Sequence, residues 1–333
     1  MNATSSATRH VSIIGCGLIG DKRAAALPPS MKLVSVFDVD PARATALAQR
    51  RACDASVAAT AVEAIERGGS NGLVVIATTH DSLAEIAQLA VERGCNVLIE
   101  KPGARRRSEL ESVARTAAST GVSVRVGFNH RFHPAMLRAR ELIADQRYGP
   151  VMVVRARYGH GGRLGYEREW RADATRSGGG ELLDQGVHLI DLTTYFSGVP
   201  TLRYGSVSTL FWDMAVEDNA FVHLGLRDGG DGWLHASWTE WKNLFSFEIA
   251  CRTAKLEISG LGGSYGPERL TVYEMSPELG PPQATTFEWP PGDDSWALEL
   301  GDLDRYLDGQ PALGTTLEEC MHTLALIDSV YER

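Results

Sequence analysis

Short apolar runs recur through the first part of the chain at residues 11–14, 33–37, 73–77, 97–99 and 122–126. Each is too short for a buried helix and reads as a strand covered on both faces. Between them lie alanine-rich stretches at 21–26, 41–51, 62–67, 82–93 and 108–119, with the length and spacing of helices. Alternating strands and helices predict a parallel sheet with crossover helices on both faces, because parallel neighbours need a long return connection. This doubly wound α/β domain is expected to span residues 1–128.

After Phe128 the alternation stops. Helical stretches are expected at 133–145 and 181–196. Strand-like sequence occupies 152–158, 205–211, 220–227, 232–238, 245–251 and 254–259, with turns such as Arg227-Asp228-Gly229-Gly230 between strands. A largely antiparallel open sheet in an α+β domain over residues 129–333 accounts for this pattern. A final amphipathic helix is expected at 315–330, with Thr315 or Thr316 as N-cap and Glu318 and Glu319 in its first turn. The length of 333 residues agrees with two cores at about 150 residues per domain.

Composition narrows the function classes. With 44% hydrophobic and 23% charged residues the chain is an ordinary globular protein. A net charge of -9 opposes a phosphate backbone, so nucleic acid is not an expected partner. The basic run Arg105 to Arg107 is flanked by Ser108, Glu109 and Glu111 at a helix start and reads as solvated surface. Cys16, Cys53, Cys95, Cys251 and Cys320 are scattered singly, without zinc or CxxC spacing, which suits a reduced cytoplasmic protein. Residues 1–10 lack the apolar core of a secretory signal, and no run approaches the roughly 20 apolar residues that span a bilayer. A soluble protein is expected. His80, His130, His133, His223 and His235 have no metal-ligand spacing, and no metal is expected.

Candidate chemistry begins at Gly15-Cys16-Gly17-Leu18-Ile19-Gly20, which follows the first strand and opens the first helix. Glycines in that context permit a tight turn and let a pyrophosphate reach the free N–H groups of the helix start. Asp38 ends the second strand about 20 residues further on, where a carboxylate accepts bonds from adenosine ribose hydroxyls. A carboxylate there also repels a 2'-phosphate, and no arginine directly follows it. NAD is therefore expected over NADP.

Four segments in order and spacing, Gly15 to Gly20, Glu100-Lys101-Pro102, Gly127 to Pro134 (GFNHRFHP) and Gly178 to Asp191 (GGGELLDQGVHLID), resemble the Gfo/Idh/MocA oxidoreductases. The resemblance covers nearly the whole chain and implies a Rossmann domain followed by a substrate-binding and oligomerisation domain. It implies catalytic roles for Lys101, Asp184 and His188: the lysine stabilises alkoxide character, the histidine exchanges the proton, and Asp184 orients it or accepts from substrate. On the residues alone, Lys101 stands at the ligand-binding edge of the sheet, or is a surface lysine. Asp184 and His188 share a helix face, but belong to a stripe with Glu181, Gln185 and Asp191 that any half-exposed helix would show. Gly178 to Gly180 are expected to let a ligand approach the backbone closely.

The resemblance also implies cofactor contacts from Thr78, Glu100, Trp170 and Arg171, although Thr78-Thr79 and Leu83 depart from the family's Thr-Pro and later histidine. Trp170 and Arg171 are alternatively packing residues. Asn129 and Arg131 contact nicotinamide or substrate, or serve as structural hydrogen-bonding groups. Tyr158 opens a stretch, 158–171, rich in tyrosine, glycine and arginine, suited to a polyhydroxylated substrate. The expected activity is hydride transfer between NAD and a secondary alcohol or ketone of a sugar, nucleotide sugar or cyclitol. A non-catalytic NAD sensor and a glycoside-cleaving enzyme with retained NAD are the alternatives. Aromatics between 211 and 247, including Trp212, Trp233, Trp238 and Trp241, suit a homodimer or homotetramer surface, or a core beneath the sheet.

Overall fold

A computed structural model describes residues 8–51, 54–278 and 280–332. It divides into two compact units: the residues up to Phe128 with Trp296–Cys320, and Asn129–Ser295 with the residues from Met321 on. Cys53 and residues 1–7 of the N-terminal reading lie outside the described residues.

The first unit runs β1 (Arg9–Ile14), α1 (Leu18–Ala25), β2 (Met31–Phe37), α2 (Pro41–Arg50), β3 (Ser56–Val57), α3 (Ala61–Gly68), β4 (Leu73–Ile76), α4 (His80–Glu92), β5 (Asn96–Glu100), α5 (Glu111–Thr120) and β6 (Val124–Gly127). These strands lie in the order β6-β5-β4-β1-β2-β3, all parallel, so the winding reverses between β1 and β4. Every residue of β4 is buried, as are Val11, Ile13 and Ile14 of β1, which is why these strands read as unbroken apolar runs. Burying each such side chain contributes about 1.5–3 kcal/mol. The helices start on local signals: Asp40 accepts from Ala42 N with Pro41 in the first turn of α2, and Thr60 caps α3 while Glu63 reaches back to Ala59 N.

The second unit runs α6 (Pro134–Ala144), β7 (Val151–Gly159), α7 (Ala174–Ser177), α8 (Val187–Ser197), β8 (Thr201–Ser208), β9 (Asn219–Gly225), β10 (Asp231–Ser237), β11 (Leu244–Cys251), β12 (Ala254–Ser259), β13 (Arg269–Glu274) and β14 (Gln283–Glu288). Its sheet has the order β14-β13-β12-β11-β7-β10-β9-β8 and is antiparallel except for the β7/β10 pair. Burial along β11 alternates residue by residue, the signature of a sheet packed on one face. A π turn, Leu182–Gly186, leads into α8, and residues 187–196 are all buried. The expectation of a half-exposed polar stripe is therefore corrected: Glu181, Asp184, His188 and Asp191 lie inside. Partners supplied from elsewhere in the unit make that burial tolerable for at least Asp184 and Asp191, which pair with arginines. Of the two readings open for the aromatics, Trp238 takes the core one and packs with Tyr166 and Val216, whereas Trp233 and Trp241 are exposed.

The chain then follows α9 (Ser295–Leu307), β15 (Thr315–Thr316) and α10 (Leu317–Tyr331). The expectation that residues 129–333 form the second domain without interruption needs correction here. Leu300 and Leu303 join the first unit's core beside Leu33 and Val36, and β15 adds an antiparallel edge strand next to β6. Thr316 is the residue that caps α10: it accepts from Glu319 N at 3.1 Å, while Glu319 Oε2 accepts from Thr316 N at 2.9 Å. Thr315 instead pairs with Val126. Among the described residues no helix is long and apolar enough to cross a membrane.

Candidate active site

In the first unit the candidate cofactor residues gather at the carboxyl ends of the strands, around the point where the winding reverses. Gly15 turns the chain at φ 93°, and a Cβ there would lie 2.4 Å from Ala77 O and 2.9 Å from Thr78 N. Only glycine lets the loop cross the end of β4. At Gly20 a Cβ would fall 1.9 Å from Gly15 O, so this glycine closes the helix onto the loop. Gly17 differs: φ is -73° and a Cβ would meet nothing within 4 Å. Nothing in its own chain requires glycine there. The open space stands at the start of α1, where unpaired N–H groups and the helix dipole favour an anion. These residues fit a dinucleotide.

Leu18 and Ile19 open α1 with their side chains exposed and half-buried. Asp38 is bolted to the glycine loop, with Oδ2 accepting from Cys16 N at 2.7 Å and Oδ1 from Asp40 N at 2.9 Å. Burial and the Asp38 charge push the Cys16 thiol up to about 12, which makes it inert at neutral pH. Thr78 follows β4, and its hydroxyl accepts from Ser82 at 2.9 Å.

Lys101 is half-buried at the end of β5, and its peptide bond to Pro102 is cis. The preceding Glu100 carries a different duty from cofactor contact. Its carboxylate accepts from Arg23 Nε at 2.5 Å, and the fully buried Arg23 also meets Glu299 at 2.6 Å. Gly127 is held to glycine by this cluster, since a Cβ would come within 2.5 Å of Arg23 Nη2.

In the second unit the π turn carries Asp184, 5% exposed, and α8 carries His188, 3% exposed. Asp184 Oδ2 accepts from Arg171 Nε at 3.0 Å, and Arg171 lies over the Trp170 ring at 4.6 Å. Burial opposes the Arg171 charge, but Asp184, Tyr166 and Glu169 together outweigh it and raise the guanidinium pKa. The His188 ring stacks on His130, with centroids 3.7 Å apart and planes 21° from parallel. His130 meets the Tyr158 hydroxyl at 3.1 Å and Asn129 Oδ1 at 3.3 Å. Burial raises the Tyr158 pKa well above its ordinary value, so the phenol keeps its proton.

Two expectations change. Arg131 forms a two-pronged buried pair with Asp191, at 2.8 and 2.7 Å, so it anchors α8 rather than facing a substrate. Gly179 and Gly180 make room for the protein itself: a Cβ would lie 2.2 Å from the Tyr331 hydroxyl at the first and 1.9 Å from Glu217 O at the second. Glu217, absent from the sequence reading, accepts from Gly180 N, Leu182 N and the Tyr331 hydroxyl and so pins the π turn. Burial raises its pKa. His130, whose spacing in the sequence signals no metal site, is joined to the site by its ring contact with His188, 58 residues away.

Residues 9–128 match the family described as "Oxidoreductase family, NAD-binding Rossmann fold", and residues 136–257 match the "GFO/IDH/MocA C-terminal domain". The chain belongs to the Gfo/Idh/MocA oxidoreductases. Its first unit is an NAD-binding Rossmann domain, and NAD is the cofactor. Relatives include D-glucoside 3-dehydrogenase of Escherichia coli (strain K12), 28% identical over 71% of this chain and 72% of that one. Inositol 2-dehydrogenase of Rhizobium meliloti (strain 1021) is 26% identical over 63% of this chain and 62% of its own length. Among solved structures, levoglucosan dehydrogenase in complex with NADH and levoglucosan shares the fold at TM-score 0.85 and 20% identity, covering 97% of this chain and 96% of that one. GenD2 from gentamicin A biosynthesis, in complex with NAD, aligns at TM-score 0.80 and 25% identity over 100% of this chain and 96% of that one.

Proposed function

We propose that this oxidoreductase transfers a hydride between NAD and a secondary alcohol or ketone carbon of a sugar, nucleotide sugar or cyclitol. The observation that carries the reading is the buried imidazole of His188 one turn beyond an Asp184 carboxylate locked by Arg171. Oxidising a secondary alcohol releases a hydroxyl proton with the hydride, and an imidazole, with a reference pKa of about 6.5, exchanges that proton near neutrality. His188 is the general acid–base. Asp184 orients it or accepts from a substrate hydroxyl. Lys101 places a cation at the ligand-binding edge of its sheet, where it stabilises alkoxide character. When bound, NAD would supply the hydride acceptor or donor.

The three motif glycines, with the backbone at Leu18 and Ile19, hold the pyrophosphate, Asp38 the adenosine ribose, and Thr78 the crevice beside Gly15. Asp38 also selects NAD against NADP. Trp170 and Arg171 shape the nicotinamide end, whereas the polar groups of Asn129 and Tyr158 serve partners inside the unit. Arg131 and Glu100 are left out because their charges serve internal pairs. Relatives named for dehydrogenating a glucoside and inositol, both polyols with secondary hydroxyls, support the substrate class.

The chain assembles as a homodimer or homotetramer through the open sheet face, where Phe221 (48% exposed) stacks on His235 and Trp233 (53% exposed) on His223. Light scattering on the purified protein tests this. The described cysteines Cys16, Cys95, Cys251 and Cys320 are buried and singly placed, which suits the cytoplasm. The activity reading is tested by His188→Asn: kcat should fall by roughly 10²–10⁴ with NAD affinity unchanged. Turnover at the wild-type rate would overturn it.

A further inference from the structure

We propose that His130 is a positioning residue that fixes the ring plane of His188 by stacking on it. This rests on the reading of His188 as the proton-transfer group. Helix α8 sets where the His188 Cβ stands, but the last torsion of a histidine is broad and leaves the imidazole plane under-determined. A proton leaves or enters an imidazole in its plane, so a freely turning ring wastes most of its orientations. The parallel ring of His130 at 3.7 Å removes that freedom.

A ring that positions another must itself be held, and His130 is held at both nitrogens. Asn129 donates through Nδ2 to Ser295 Oγ at 2.8 Å, and Ser295 in turn donates to Asp293 at 2.5 Å. That fixes the amide so that Asn129 presents its oxygen to His130, whose Nδ1 then carries the proton. Its Nε2 meets the Tyr158 hydroxyl at 3.1 Å, so a partner holds the ring at each nitrogen.

The test uses the full chain with NAD, two ring variants and two readouts. Proton NMR needs no substrate: the His188 ring protons should be shifted upfield by the stacked ring in wild type and in His130→Phe, and should lose that shift in His130→Leu. Kinetics use methyl glucoside and myo-inositol as probes. His130→Leu should lower kcat by about tenfold or more with KM and NAD affinity little changed, and His130→Phe, which keeps a flat face, should recover most of the loss. Thermal unfolding of both variants separates folding defects from positioning. A His188 shift indifferent to residue 130, or a Phe variant as slow as the Leu variant, overturns the proposal. If His188→Asn loses turnover while His130→Leu keeps it, the positioning role alone fails. If His188→Asn keeps turnover, the reading beneath it fails as well.

Discussion

Replacing Gly17 and Gly20 separately by alanine should divide cofactor binding from folding. At Gly20 a Cβ would sit 1.9 Å from Gly15 O, far inside contact distance and against backbone that cannot swing aside. Overpacking of that kind costs about 1–3 kcal/mol, so Gly20→Ala should lower the Tm by several degrees. At Gly17 the added methyl meets no protein atom within 4 Å, and φ of -73° suits any residue. Alanine is a poorer N-cap than glycine by up to about 1 kcal/mol, but it restricts the unfolded chain by about 0.4–1 kcal/mol, and the two nearly cancel. The Tm of Gly17→Ala should therefore stay near wild type. Its methyl instead fills the space left for pyrophosphate, and a steric cost of about 1–3 kcal/mol there weakens NAD binding by roughly 10- to 100-fold. Calorimetric NAD titration and thermal unfolding of both variants decide the matter. NAD binding by Gly17→Ala at wild-type affinity, or a Tm loss as large as that of Gly20→Ala, would refute the assignment of roles.

Asp38→Asn should bind NAD about tenfold more weakly and narrow its preference over NADP, measured as paired Kd values, because it removes the charge proposed to accept from ribose and repel the 2'-phosphate. Arg23→Leu leaves Glu100 and Glu299 buried without their cation and should cost about 3–5 kcal/mol in a urea titration. Asp218 gives a pH signature. Burial pulls its pKa up, but N–H donors from Trp212, Leu210 and Phe211 outweigh that and hold it below the ordinary carboxylate value. Its contribution to stability is thus present above the unfolded value near pH 4 and lost as the pH falls through the lower folded one. Asp218→Asn should be less stable than wild type at pH 7, with the gap closing below about pH 4; a gap independent of pH would contradict this.

The parallel sheet was legible because its central strands are buried on both faces and helices α2 and α3 carry their own caps, so those elements are written in adjacent residues. The glycine loop and Asp38 were legible for the same reason. Strand β14 was missed because it is almost wholly exposed and offers no apolar alternation, and β15 because two residues carry no period. The return of residues 296–320 to the first unit depends on Leu300 and Leu303 meeting strands near the other end of the chain. Partners of the second unit's site are similarly remote: Arg131 and Asp191 are 60 residues apart, and Glu217 and Tyr331 are 114. Periodicity marks Asp184, His188 and Asp191 as one helix face, but cannot distinguish a face turned to water from one met by arginines from elsewhere in the unit.

The central claim is tested most directly by following NADH absorbance while purified protein and NAD meet D-glucosides, free sugars, sugar phosphates, nucleotide sugars and cyclitols, with Lys101→Ala in parallel. The account predicts NADH formation with at least one ring polyol and its loss in the variant. NAD binding without turnover of any class, or turnover indifferent to Lys101, would contradict it and favour a protein that senses or retains the dinucleotide.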